Sequence, residues 1–313
     1  MISVSRILCP TDFSPLSRRA LDHAVALARW YEADVTVLHV PPSAPMPASE
    51  VAYVPPAEPA PEVRERLRTE LHGFVEPARR AGICVRLELG QGDVAREVVA
   101  RTEKGEADLV VVGTHGRHGL ERLVLGSVTE RVLRHAACPV LTVSPRVVGE
   151  PSARFETVLC PVDLSPSSAH TVREAAAVAE EAQARLVLLH VIAGPSYPPM
   201  RVPPGFDSRA YREDVTAAVS GRLWRLLPEG GGAAEVAVVW GSPHPEIVHQ
   251  ARGRKAGLVV MGAHGGPLGS TLFGSTAHSV VRTAPCPVLV IRARAHGFAA
   301  AEPEPVAAMT VAD

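Results

Sequence analysis

A segment at the start of this chain returns in its middle. Arg6-Ile7-Leu8-Cys9-Pro10-Thr11-Asp12-Phe13-Ser14-Pro15 is answered by Thr157-Val158-Leu159-Cys160-Pro161-Val162-Asp163-Leu164-Ser165-Pro166. Val37-Leu38-His39-Val40 is answered by Leu188-Leu189-His190-Val191, and Cys138-Pro139-Val140-Leu141 by Cys286-Pro287-Val288-Leu289. Each unit runs to about 145 residues, too long for a solenoid repeat and the size of a whole domain. A chain of 313 residues holds two such units. The division reads as one domain over 1–145, a linker over 146–154 with Gly149 and Pro151, a second domain over 155–293, and a disordered tail over 294–313 rich in alanine, proline and glutamate.

Within the first unit, apolar runs alternate with helical patterns. A strand spans Ser5 to Pro10. Ser14 then reads as an N-cap and Pro15 as the first helical residue, ahead of an apolar face of Leu16, Ala20, Ala24, Val25 and Ala28. A strand over Asp34 to Val40 precedes a loop from Pro41 to Pro61 that holds eight prolines. A helix from Glu62 to Arg80 leads to a strand over Cys84 to Leu89, closed by Gly90. Asp93 caps a helix carrying Val94, Val98 and Val99, which stops by Gly105. Strands from Leu109 and over Val140 to Val143 complete the unit. The second unit repeats the order, with its proline-rich loop at Tyr197 to Phe206 and its second helix over Arg209 to Leu227. Strict alternation of strand and helix predicts α/β architecture: two tandem doubly wound, five-stranded parallel sheets with helices on both faces.

In such sheets ligands sit beyond the carboxyl ends of the strands, where the strand order reverses. Asp12, the backbone after His39, Gly90 and Gly113 all fall at strand ends, so four separate segments converge on one crevice. The richest segment is Leu109-Val110-Val111-Val112-Gly113-Thr114-His115-Gly116, followed by nine residues and then Gly126-Ser127-Val128 at a helix start. Glycine lets a ligand approach the backbone closely, and a helix N-terminus offers unpaired N–H groups and partial positive charge. Together they make a phosphate cradle. The second unit carries Gly262, Gly265, Gly274, Ser275 and Thr276 in the same places, but only eight residues separate Gly265 from Gly274.

Other chemistries are less well supported. The net charge of −1 provides no global field for nucleic acid or an anionic membrane. No apolar run approaches the ~18 residues of a membrane span, and the N-terminus has no long apolar signal segment. Five cysteines without a CxxC pair read as reduced thiols. These features predict a soluble cytoplasmic protein. Gly90-Gln91-Gly92-Asp93-Val94-Ala95 fits a dinucleotide fingerprint in form but follows the third strand, so it reads as a tight strand-to-helix turn. Neither Lys104 nor Lys255 follows a glycine-rich loop, which removes a P-loop mechanism. His115, His118 and His135 are too loosely spaced for a zinc site and read as loop histidines. His39 and His190 read as packing residues beside the crevice. Asp12 and Asp163 read as ligand-orienting groups, with no basic partner at recognisable spacing. Cys9 and Cys160 read as small hydrophobes in mid-strand.

These residues resemble the universal stress protein family, as two fused domains over about residues 3–145 and 155–293. The most specific motif is Gly-x2-Gly-x9-Gly-Ser, met in full by Gly113, Gly116, Gly126 and Ser127. The resemblance implies a Rossmann-like fold of the adenine nucleotide alpha-hydrolase type, and the motif implies a member that binds ATP with Mg2+. Carried over by position, Asp12 and the backbone at Val40 would face the adenosine, and Gly113 and Gly116 the ribose and α-phosphate. The amides of Gly126, Ser127 and Val128, with the Ser127 hydroxyl, would hold the β- and γ-phosphates. Asp163, Val191, Gly262, Gly265, Gly274, Ser275 and Thr276 correspond in the second unit. The resemblance also implies pairing of domains through their last strands, as a homodimer or, through Val140–Val143 and Val288–Ile291, within one chain. The expected function is a nucleotide-dependent regulator of the stress response with an unknown protein partner. The alternatives are slow ATP hydrolysis or autophosphorylation at Ser127, and a nucleotide-free scaffold.

Overall fold

The computed structural model describes residues 4–41, 60–116, 125–152, 154–193, 208–228, 233–263 and 273–292. The proline-rich loops, the tail, His118 and Gly265 lie outside the described residues.

The first half runs β1 (Arg6–Pro10), α1 (Pro15–Tyr31), β2 (Asp34–His39), α2 (Pro61–Arg80), β3 (Val85–Leu89), α3 (Val94–Glu103), β4 (Leu109–Gly113), α4 (Ser127–His135) and β5 (Val140–Val143). The second runs β6 (Thr157–Pro161), α5 (Ser168–Glu181), β7 (Arg185–Ala193), α6 (Ser208–Trp224), β8 (Ala234–Gly241), α7 (Pro243–Gly253), β9 (Leu258–Gly262), α8 (Ser275–Thr283) and β10 (Val288–Ile291). The helix starts follow their side chains. Ser14 Oγ accepts the Ser17 amide at 3.1 Å with Pro15 at the first helical position, and Asp93 Oδ1 accepts the Arg96 amide at 2.9 Å.

Ten strands form one sheet in the order β3-β2-β1-β4-β5-β10-β9-β6-β7-β8. Every pairing is parallel except β5 with β10, which run antiparallel. Leu141 lies opposite Leu289, its own counterpart in the repeat, so the seam has a pseudo-twofold axis there. Thr142 Oγ1 donates to the Val288 carbonyl at 3.1 Å, Ser144 Oγ to Ala284 at 3.3 Å, and the Val148 amide to Pro285 at 3.0 Å across the same seam.

The sheet is covered on both faces, which is why its strands are apolar throughout rather than alternating. Ile7, Cys9, Val35, Val37 and Val111 pack under α1 and α2, with the same layer continuing under α5 and α6. Leu8, Leu38, Val110, Val112 and Val140 pack the other way, under α3, α4, α7 and α8. In each half the order reverses between neighbours: β1 and β4 in the first, β6 and β9 in the second. The crevice is therefore set at the carboxyl ends of these strands.

Candidate ligand crevices at the two switch points

The turn after β1 is built alike in both halves. Phe13 and Leu164 adopt left-handed backbone, φ 63° and 61°, which non-glycine residues enter at a cost of about 1 kcal/mol or more. That twist redirects the chain from strand to helix and leaves Asp12 and Asp163 at the crevice mouth. Asp12 Oδ1 accepts the Ser14 amide, and Asp163 Oδ1 accepts the Ser165 amide, each at 3.0 Å. Asp163 also accepts the Ser168 hydroxyl at 2.7 Å. His39 Nδ1 donates to the Thr11 carbonyl at 2.8 Å, and His190 Nδ1 to Val162 at 2.6 Å. A carbonyl only accepts, so both rings carry a proton on Nδ1. The histidines thus lock the end of β2, and β7 three residues before its end, to the turn after β1 or β6, in keeping with a packing role.

In the second half the strand ends enclose a cavity of about 350 Å3. Asp163, Val191, Gly262, Gly274, Ser275 and Thr276 all line it. The sequence reading missed Ser167, Thr171, Pro243 and Ile247, which line it too. The spacing of Ser167 and Thr171, four apart at the start of α5, puts both on one helical face. The helix N-terminus is open as expected: the His278 amide is the first to return to Gly274, at 2.8 Å, and no side chain caps α8.

In the first half the same elements make close approaches at the glycines. A Cβ on Gly116 would come within 3.0 Å of Asp12 Oδ2, and one on Gly113 within 3.0 Å of Leu16 Cγ. The Val40 side chain sits 2.8 Å from the point where Gly90 would carry a Cβ, so Gly90 has to be glycine for the two strand ends to approach. Ser127 and Val128 begin α4, whose N-cap Gly126 offers no side-chain bond.

One expectation is corrected in both halves. The Gly126 amide does not face a ligand: it donates to the Thr114 carbonyl at 2.8 Å, and Gly274 donates to Ala263 at 3.0 Å. This bond returns the loop to the strand before the helix begins. The amides of the next two residues, Ser127 and Val128 or Ser275 and Thr276, are left to serve as donors.

Covalent chemistry at the cysteines is disfavoured by burial. Cys9 and Cys160 are fully enclosed, and burial pushes both thiols up to about 12. His115 is also shifted, downwards, by burial and by Arg282 of the other half. Among the described residues no group of three or more His, Cys, Asp or Glu gathers around a common point. Among the same residues no helix is long and apolar enough to cross a membrane.

Fold and site define a class: a tandem, doubly wound α/β chain whose halves each bring glycines at a strand end against a helix N-terminus at the switch point. The chain belongs to the universal stress protein family, whose sequence profile matches residues 3–144 and again 154–292. A universal stress protein of Methanocaldococcus jannaschii is 38% identical over 143 residues, 44% of this chain and 81% of its own length. One of Mycolicibacterium smegmatis is 29% identical over 318 residues, covering 92% of this chain and 97% of the other. That span fits the tandem arrangement. The crystal structure of a universal stress protein from Archaeoglobus fulgidus shares the fold, with TM-score 0.61 at 22% identity over 93% of this chain and 97% of that one.

Proposed function

We propose that this chain binds an adenine nucleotide, ATP with Mg2+, at its switch-point crevice and uses occupancy to regulate a partner in the stress response. The observation that carries the reading is the cavity of the second half. Its volume of about 350 Å3 lies within the range of small-molecule sites, roughly 300–1,000 Å3. Its lining suits the parts of a nucleotide. Val191, Ile247 and Met261 supply an apolar wall for a base. Asp163 supplies an acceptor for ribose hydroxyls. Ser275 and Thr276 supply amides and hydroxyls at the positive end of α8, where phosphate oxygens are favoured. Mg2+ would ride on the phosphates, neutralising their charge.

Regulation without turnover fits the groups present. The buried thiols are too weakly acidic to serve as nucleophiles, and no lysine of a P-loop accompanies the cradle. Equilibrium dialysis of ATP against the full chain tests the reading, with Gly274→Val as the probe variant. Adding an isopropyl group where Gly274 meets Ala263 should reduce affinity by about tenfold or more. A chain that takes up no adenine nucleotide refutes the proposal.

A further inference from the structure

The two halves are not equivalent at the crevice, and the difference resides in side chains rather than in the motif. Two positions matter. Leu16 on α1 corresponds to Ser167 at the start of α5, and Thr129 on α4 corresponds to Ala277 on α8. Both changes shorten the side chain in the second half. Leu16 lies over Gly113, with Cγ and Cδ2 at 3.0 and 3.4 Å from the point where that glycine would carry a Cβ. Thr129 is buried and donates its hydroxyl to the Gly113 carbonyl at 2.7 Å, tying the tip of α4 against the end of β4. In the second half Ser167, Gly262 and Ala277 instead border open cavity. The helix start differs in step. α1 begins at Pro15, whereas α5 begins only at Ser168, after a turn closed by the Ser168 amide on the Ser165 carbonyl at 3.0 Å.

We propose that the second half is the nucleotide site of this chain, and that Leu16 closes the first half by filling the space over Gly113 that Ser167 leaves open over Gly262. The inference rests on the nucleotide reading above and adds which half binds and which residue decides it. It runs against the loop spacing, since it assigns closure to the half with the full nine-residue loop. A phosphate cradle needs both the amides and room for the nucleotide beside them. The motif encodes the first, and a residue far from the cradle in sequence, at the start of the helix after the first strand of its half, encodes the second.

Isothermal titration of the full chain with ATP and Mg2+ tests this through stoichiometry. The unaltered chain should bind about one equivalent. Ser167→Leu should weaken that binding by about tenfold or more, because a closely packed site tolerates added methylenes poorly. Leu16→Ser should add a second binding event, a gain that misfolding cannot mimic. Thermal unfolding of each variant checks that it is folded, and if Ser167→Leu is not, Leu16→Ser alone decides. Two equal sites in the unaltered chain, unchanged binding in Ser167→Leu, or no second event in Leu16→Ser overturns the inference and leaves the nucleotide reading standing. No binding to the unaltered chain refutes that reading and the inference with it.

Discussion

His23 shows how burial sets chemistry one residue at a time. It lies on the core face of α1 at 4% exposure. Burial first, and Arg19 second, lower its pKa from 6.5 to about 4. Between those values the unfolded chain takes up a proton that the folded chain refuses. Stability is therefore full above pH 6.5 and falls as pH drops towards 4, by roughly 3 kcal/mol. Urea midpoints at neutral and at mildly acid pH should show the drop, and His23→Leu should flatten it; an equal slope in the variant refutes the assignment. The cysteines give a second residue-scale test. Cys84 is exposed while Cys9, Cys138, Cys160 and Cys286 are buried. Iodoacetamide should label Cys84 first in the folded chain, as read by peptide mass spectrometry, with the other four protected until unfolding. Equal labelling of Cys9 would contradict its enclosure.

Among the elements, α4 and α8 carry the most consequence. Both start at glycine-serine, both lack a side-chain cap, and both leave their first amides directed out of the helix. They differ in how they are anchored. Thr129→Val removes the bond to Gly113 and leaves that buried carbonyl short of a partner, which should cost about 1–3 kcal/mol in denaturant unfolding. Ala277→Thr places a hydroxyl in the cavity wall and should lower nucleotide affinity more than stability. Equal losses of affinity and stability would instead mean that the helix tip has shifted. Much at this scale was legible beforehand. The caps at Ser14 and Asp93, the strand from Leu109 and the helix after Gly126 stand where their residue types put them. The boundaries moved where tertiary contacts overrode local pattern. The strand expected to reach Val40 ends at His39, whose ring bonds back to Thr11, and the helix expected to reach Leu227 ends at Trp224.

At the scale of the whole molecule, the seam turns two domains into one sheet. Leu141 and Leu289 lie buried and opposed on the pseudo-twofold axis, flanked by hydrogen bonds from Thr142 and Ser144. Tyr31 Oη adds a bond to Glu181 at 3.0 Å between α1 and α5. An aspartate at Leu289 would place an uncompensated charge in this apolar seam. Leu289→Asp should cost at least about 3 kcal/mol and open the chain between its halves to protease. Limited proteolysis at the 146–154 linker reads the outcome, and a variant as resistant as the parent would show that the halves dock by other means.

The sequence by itself determined the doubled architecture, the parallel sheet and the place of the crevices. Those depend on periodicity, on glycine and proline at strand ends, and on a repeat that any reader of the chain can align. It also named six of the residues that line the second cavity. What it could not decide is how side chains from distant segments share the same few ångströms. That the Gly126 amide turns inward to Thr114 is a fact of loop closure, and that Leu16 rests on Gly113 and that Ser167 and Gly262 line one cavity are facts of packing between segments far apart in the chain. A motif fixes which groups are present; only the folded arrangement fixes which of them have already found a neighbour.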